Sequence, residues 1–98
     1  MTTVSSLEEA RRVAAALVEE RLAACVNIVS GVHSVYRWKG TVEEAGEVLL
    51  IMKTRVEKLE ALEAAVRRLH SYEVPEFLIL PVNGGSAAYL QWIDESVE

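Results

Sequence analysis

The sequence predicts an α+β fold of order βαββαβ, with two helices laid over one face of an antiparallel sheet. Three observations carry this reading. Two stretches repeat apolar residues every three or four positions, as amphipathic helices do. Runs of β-branched and aromatic residues lie between and after them. Turn or capping residues stand at the junctions. The 98 residues suit one domain, read as spanning 1–98.

Met1 to Val4 reads as the stub of a first strand. Ser6 and Glu9 then form an S-x-x-E capping box. Leu7, Ala10, Val13, Ala14, Leu17, Val18 and Leu22 follow at helical spacing, predicting a helix from Leu7 to about Ala23. Cys25 to Trp38 is rich in strand formers, and Gly31 marks a bend or bulge within it. Lys39-Gly40 supplies a turn and Thr41 to Gly46 reads as a polar connection. Glu47 to Thr54 predicts a strand whose run Val48-Leu49-Leu50-Ile51-Met52 is too continuous for a one-sided sheet.

A second capping box, Thr54 and Glu57, opens a helix carrying Val56, Leu59, Leu62, Val66 and Leu69. Tyr72 to Glu76 is an ordered linker, with Val74 held extended by Pro75. Phe77 to Val82 predicts the last strand, which Gly84-Gly85 breaks. Ser86 caps a short final helix with Tyr89, Leu90, Trp92 and Ile93.

Composition removes several functions. The formal charge is -5 and no basic block exists, which argues against binding a nucleic-acid phosphate backbone. One cysteine makes no internal disulfide. Met1 to Ser6 is polar and uncharged, so no secretory leader is expected, and the longest apolar run, Val48 to Met52, is too short for a bilayer. The expectation is a cytoplasmic protein with neither membrane nor nucleic-acid partners. Hydrophobic residues make up 51% of the chain, a surplus that a subunit interface would absorb.

The residues able to carry chemistry are few. Cys25 is either a small buried hydrophobe or a soft metal ligand or redox thiol. His33 and His70 are the only imidazoles and form no compact metal spacing. His70 either shapes a turn or ligates an ion with Glu73 or Glu76. Lys53 ends a strand, where it can meet a carboxylate or an anion. Arg37, Trp38 and Lys39 can hold an anionic or aromatic ligand; alternatively Tyr36 and Trp38 cement a hairpin or an interface. No nucleophile elbow, phosphate loop or paired acid and base is present, so no enzyme is expected.

The run Glu20-Arg21-Leu22-Ala23-Ala24-Cys25-Val26-Asn27-Ile28 resembles a signature of the CutA divalent-cation tolerance family. Tyr36-Arg37-Trp38-Lys39-Gly40, Leu50 to Thr54, His70 to Glu76 and Tyr89 to Trp92 resemble further blocks of that family in the same order. The resemblance covers nearly the whole chain. It implies a ferredoxin-like subunit with a short C-terminal helix, assembled as a homotrimer and similar in structure to nitrogen-regulatory PII proteins. It further implies a role in divalent-cation tolerance, with a weakly held copper or zinc ion and no organic cofactor.

By resemblance, Cys25, His70, Glu73 and Glu76 are the candidate metal residues of an intersubunit cleft. Lys53, Arg37 and Tyr72 would serve the alternative, a PII-like module binding a small anionic metabolite between subunits. Two departures stand out. The family has a fuller first strand, which predicts either a start upstream of Met1 or compensation by the trimer. Ser71 replaces a common proline, which predicts a looser turn.

Overall fold

The computed structural model describes residues 1–98. Its elements are β1 (Thr2–Val4), α1 (Leu7–Glu19), β2 (Cys25–Trp38), β3 (Thr41–Lys53), a 3-10 turn (Val56–Lys58), α2 (Leu59–Leu69) and α3 (Ala87–Ser96). The sheet is antiparallel in the order β1-β3-β2. α1 and α2 cover one face of it. The core joins Val4, Val13, Leu17, Val48, Leu50, Leu62 and Val66, all buried. Each such side chain contributes about 1.5–3 kcal/mol relative to exposure. No helix is long and apolar enough to cross a membrane.

α1 starts where its sequence says it should. Ser6 is extended and its Oγ accepts from the Glu9 N–H at 3.1 Å. The helix ends earlier than predicted, at Glu19 rather than near Ala23. Arg21 turns left-handed at φ 59, its N–H reaching Val18 O, and the Leu22 N–H reaches Leu17 O. These two bonds form a Schellman cap, built here on arginine rather than the usual glycine.

β2 and β3 form a long hairpin closed by Lys39 (φ 50) and Gly40 (φ 81), the two left-handed residues of a type I′ turn. The polar stretch Thr41 to Gly46, read as a connection, belongs to β3 and pairs with His33 to Trp38. It lacks apolar alternation because much of this arm is exposed. Between the pairs Val29↔Leu49 and Val32↔Glu47 the register shifts, so Ser30 and Gly31 oppose Val48 alone. Gly31 supplies the φ of 79 that such a bulge requires.

The bulge sets which way the arm faces. Ile28 pairs with core residue Leu50, so the even residues of β2 point at the helices there. Beyond the bulge Tyr36 pairs with Glu43, an odd residue of β3. Side chains alternate along β3, so Ser34, Tyr36 and Trp38 face away from the helices.

Two further expectations are corrected. Thr54 does not cap the second helix: its Oγ1 is buried without a partner, and the helix is entered through the 3-10 turn. Phe77 to Val82, expected as the sixth element, forms no strand ladder. Met1 N donates to Leu78 O at 2.7 Å and Leu78 N to Met1 O at 3.0 Å, which places the segment outside β1. In an antiparallel register through that pair, residues 79–82 run past the start of β1 and meet no partner strand. The ferredoxin-like order is thus present, with its fourth strand position filled by a segment that joins β1 only through Leu78 and Met1. Leu80 and Val82 on it are 64% and 76% exposed.

α3 is the predicted final helix. Ser86 Oγ accepts from the Tyr89 N–H at 3.3 Å.

Candidate functional site

A cleft of about 610 Å³ opens on the sheet face away from the helices. One wall is the hairpin arm beyond the bulge, with Tyr36, Trp38, Glu43 and Glu47. The other is the linker after α2, with Tyr72, Glu73 and Glu76. Thr3 lies between them, on the outward face of β1 because its neighbours Thr2 and Val4 are buried. The volume falls within the range of small-ligand sites. Its charged lining residues are four glutamates, with no lysine, arginine or histidine among them.

Tyr72 joins the walls. Its hydroxyl donates to Glu47 Oε2 at 2.8 Å. Burial, the bond to Glu47 and the nearby negative charge all push the phenol well above its ordinary range. Glu76 adds a buried carboxylate oxygen, Oε2, that finds no hydrogen-bond partner within the chain.

Behind the linker lies a buried polar cluster. The His70 side chain is 0% exposed. Its Nε2 contacts Thr3 O at 2.7 Å, and its Nδ1 accepts the Tyr72 N–H at 3.0 Å. That pattern fits the neutral tautomer carrying its proton on Nε2. Glu9, 7% exposed, accepts from Ser5 Oγ at 2.9 Å, Ser71 Oγ at 2.9 Å and Ser71 N at 3.0 Å. Burial opposes its ionisation, but the hydrogen bonds from Ser71 and Ser5 outweigh it and hold the carboxyl below its ordinary range. The stability it contributes is therefore present above the ordinary carboxylate pKa and fades as pH falls through the lowered value. The expected looser turn at Ser71 is corrected: a proline there could not donate the backbone bond that this serine gives to Glu9.

The predicted site residues divide. Tyr72, Glu73 and Glu76 line the cleft; Cys25, Lys53, Arg37 and His70 do not. Cys25 is partly buried at the start of β2, opposite Lys53. Thr3, which His70 holds, pairs with Leu49. Four residues of β3, about 13 Å, separate these points, and they lie on opposite edges of the strand. Cys25 and His70 are therefore not brought together, and both His70 nitrogens are already engaged. Lys53 Nζ donates to Tyr89 OH at 3.3 Å and lies 5.5 Å from that ring's centre. Arg37 donates to Gly40 O at 3.3 Å. No group of three or more His, Cys, Asp or Glu side chains gathers closely enough to hold an ion in one chain.

Sequence reasoning missed Glu43 and Glu47 as site residues. Glu43-Glu44 was an adjacent pair in what read as a connection. As strand residues the two point to opposite faces, Glu43 into the cleft and Glu44 to His33 Nε2 at 2.7 Å. Recognising Thr41 to Gly46 as strand would have revealed the alternation.

The family model described as "CutA1 divalent ion tolerance protein" matches residues 1–96. A Thermus thermophilus protein named "Divalent-cation tolerance protein CutA" is 51% identical over 96 residues, covering 98% of this chain and 93% of that one. The rice protein "Protein CutA 1, chloroplastic" is 48% identical over 94 residues, covering 96% of this chain and 53% of that one. The chain thus spans about half the length of that plant relative. A solved structure of the divalent cation tolerance protein from Thermus thermophilus is similar with a TM-score of 0.96 at 50% identity, covering 99% of this chain and 94% of that one.

Proposed function

This chain belongs to the CutA1 divalent ion tolerance protein family, and from that premise we propose that it acts as a homotrimer holding divalent cations loosely in its acidic cleft. The family's members are non-catalytic ion-tolerance proteins. The observation that carries the reading is the cleft lining: four glutamates and no basic side chain. Such a one-signed recess concentrates cations. Carboxylates alone suit hydrated, oxygen-preferring ions, and fewer than three convergent ligands make the hold weak.

Glu73 and Glu76 remain in the proposed set, joined by Glu43 and Glu47. Copper or zinc would be held there through carboxylate oxygen rather than through Cys25 or His70. A second copy docked against the cleft would supply the missing ligands.

The exposed apolar surface supports assembly. Ile79, Leu80 and Val82 are exposed on backbone without a partner strand, and Val35 and Val42 are exposed on the hairpin arm. Unpaired, apolar edges of this kind are commonly covered by another chain. The anionic-metabolite alternative has less support, because Lys53 is turned to Tyr89 and Arg37 to the hairpin backbone. The single cysteine is compatible with a reducing compartment, and the cytoplasm is the proposed setting.

Native mass spectrometry with added Mn²⁺, Cu²⁺ or Zn²⁺ tests this. The expected species has three times the 10.9 kDa chain mass and gains a discrete number of ions. A monomer, or a trimer gaining no ions, contradicts the corresponding half of the reading.

A further inference from the structure

The buried cluster behind the linker is more elaborate than a turn needs. Glu9 sits in the first turn of α1, 62 positions from Ser71, yet it takes both Ser71 donors on its two carboxylate oxygens. Ser5 adds a third bond from the residue just before the helix cap. His70 ties the same turn to β1 through Thr3 O and to Tyr72 through the Tyr72 N–H. The Tyr72 ring lies 4.7 Å from the His70 ring, and its hydroxyl reaches Glu47 on β3. One carboxylate thus anchors a turn that continues directly into a cleft wall.

We propose that Glu9 is a positioning residue for the cleft, acting through Ser71 to hold Tyr72, Glu73 and Glu76 against the hairpin arm. Glu9 does not line the cleft itself. It is suited to the task because an ionised carboxylate accepts several hydrogen bonds at once, and bonds to a charged acceptor are stronger than neutral ones. Its place near the N-terminus of α1 also favours negative charge. Ser71 is its matched partner, supplying a backbone and a side-chain donor from one residue. This inference rests on the cleft as the cation site, and its test separates the two.

The test compares the full chain with Glu9→Gln, Ser71→Ala and Ser71→Thr, using Mn²⁺ as the probe and amide hydrogen exchange as a second readout. Glutamine keeps the shape of Glu9 but presents a single acceptor oxygen. Glu9→Gln is expected to weaken Mn²⁺ binding about fivefold and to speed exchange at residues 71–74 and 76 about tenfold. Amides of the α2 core, at Leu62 and Val66, should keep their protection. Ser71→Ala should shift the same readouts in the same direction, and serves if Glu9→Gln does not fold. Ser71→Thr keeps both donors and should behave as the wild type.

Unchanged exchange across 71–76 in the folded variants overturns the proposal. So does an equal rise at Leu62 and Val66, which would mark general destabilisation. A wild type that binds no Mn²⁺ overturns the cation reading instead, while the exchange comparison still decides whether Glu9 holds the wall.

Discussion

Replacing Glu43, Glu73 and Glu76 together with glutamine is expected to weaken Mn²⁺ binding about 100-fold while leaving the fold intact. The effect is electrostatic. In a water-filled recess each carboxylate near an ion contributes about 1 kcal/mol once solvent and salt have screened it. Three such losses sum to about 3 kcal/mol, which is about two orders of magnitude in affinity. Glu47 is left in place because its contact with Tyr72 joins the two walls. Stability should hold or rise, since the substitutions relieve repulsion among like charges and none lies in the core. Calorimetric titration reads the affinity and thermal denaturation reads the fold. Affinity within threefold of the wild type would remove the cleft from consideration. Cys25→Ser, made alongside, should change nothing.

Inserting one alanine between Glu47 and Val48 is expected to dismantle the cleft without touching its chemistry. At present Ser30 and Gly31 share the single partner Val48. The extra residue would give them two partners and make the hairpin regular. Because strand side chains alternate, a one-residue change turns every residue beyond it to the other face. Tyr36, Trp38, Glu43 and Glu47 would then point to the helix side and Tyr72 would lose its partner. Glu43 and Glu47 leave the cleft face while Glu44 turns onto it, a net loss of one carboxylate, so Mn²⁺ binding should fall about fivefold. The core should survive, because the arm beyond the bulge contributes nothing to the buried cluster. The change is read by titration together with the near-ultraviolet circular dichroism of Trp38. A variant that keeps wild-type affinity and an unchanged aromatic signal would contradict the assignment of faces.

The parts of the fold legible in the sequence are those with local causes. Ser6 and Ser86 cap their helices through bonds three residues away. Lys39-Gly40 makes a tight turn, and Gly31 marks the bulge, because few residues accept those backbone angles. The missed features depend on distant partners. Thr41 to Gly46 is strand because β2 pairs with it, whereas its own residues resemble a loop. Phe77 to Val82 has the composition of a strand, but composition does not supply a neighbour, and the pairing stops at Leu78. α1 stops at Glu19 through an arginine in a conformation that glycine usually marks.

The site follows the same division. Tyr72, Glu73 and Glu76 stood out in a recognisable block and do line the cleft. His70 belongs to that block as well, but bonds to Thr3 and Tyr72 bury it behind the wall. Glu9 read as half of a capping box. Its Ser71 bonds are invisible in sequence because 62 positions separate the pair.

Paramagnetic broadening of amide resonances by Mn²⁺ reports where the ion sits. The predicted result is selective broadening at residues 34–38, 43–47 and 72–76, titrating as one process and absent from the triple glutamine variant. Broadening centred on Cys25 and Lys53, or none at saturating Mn²⁺, would contradict the cleft as the cation site.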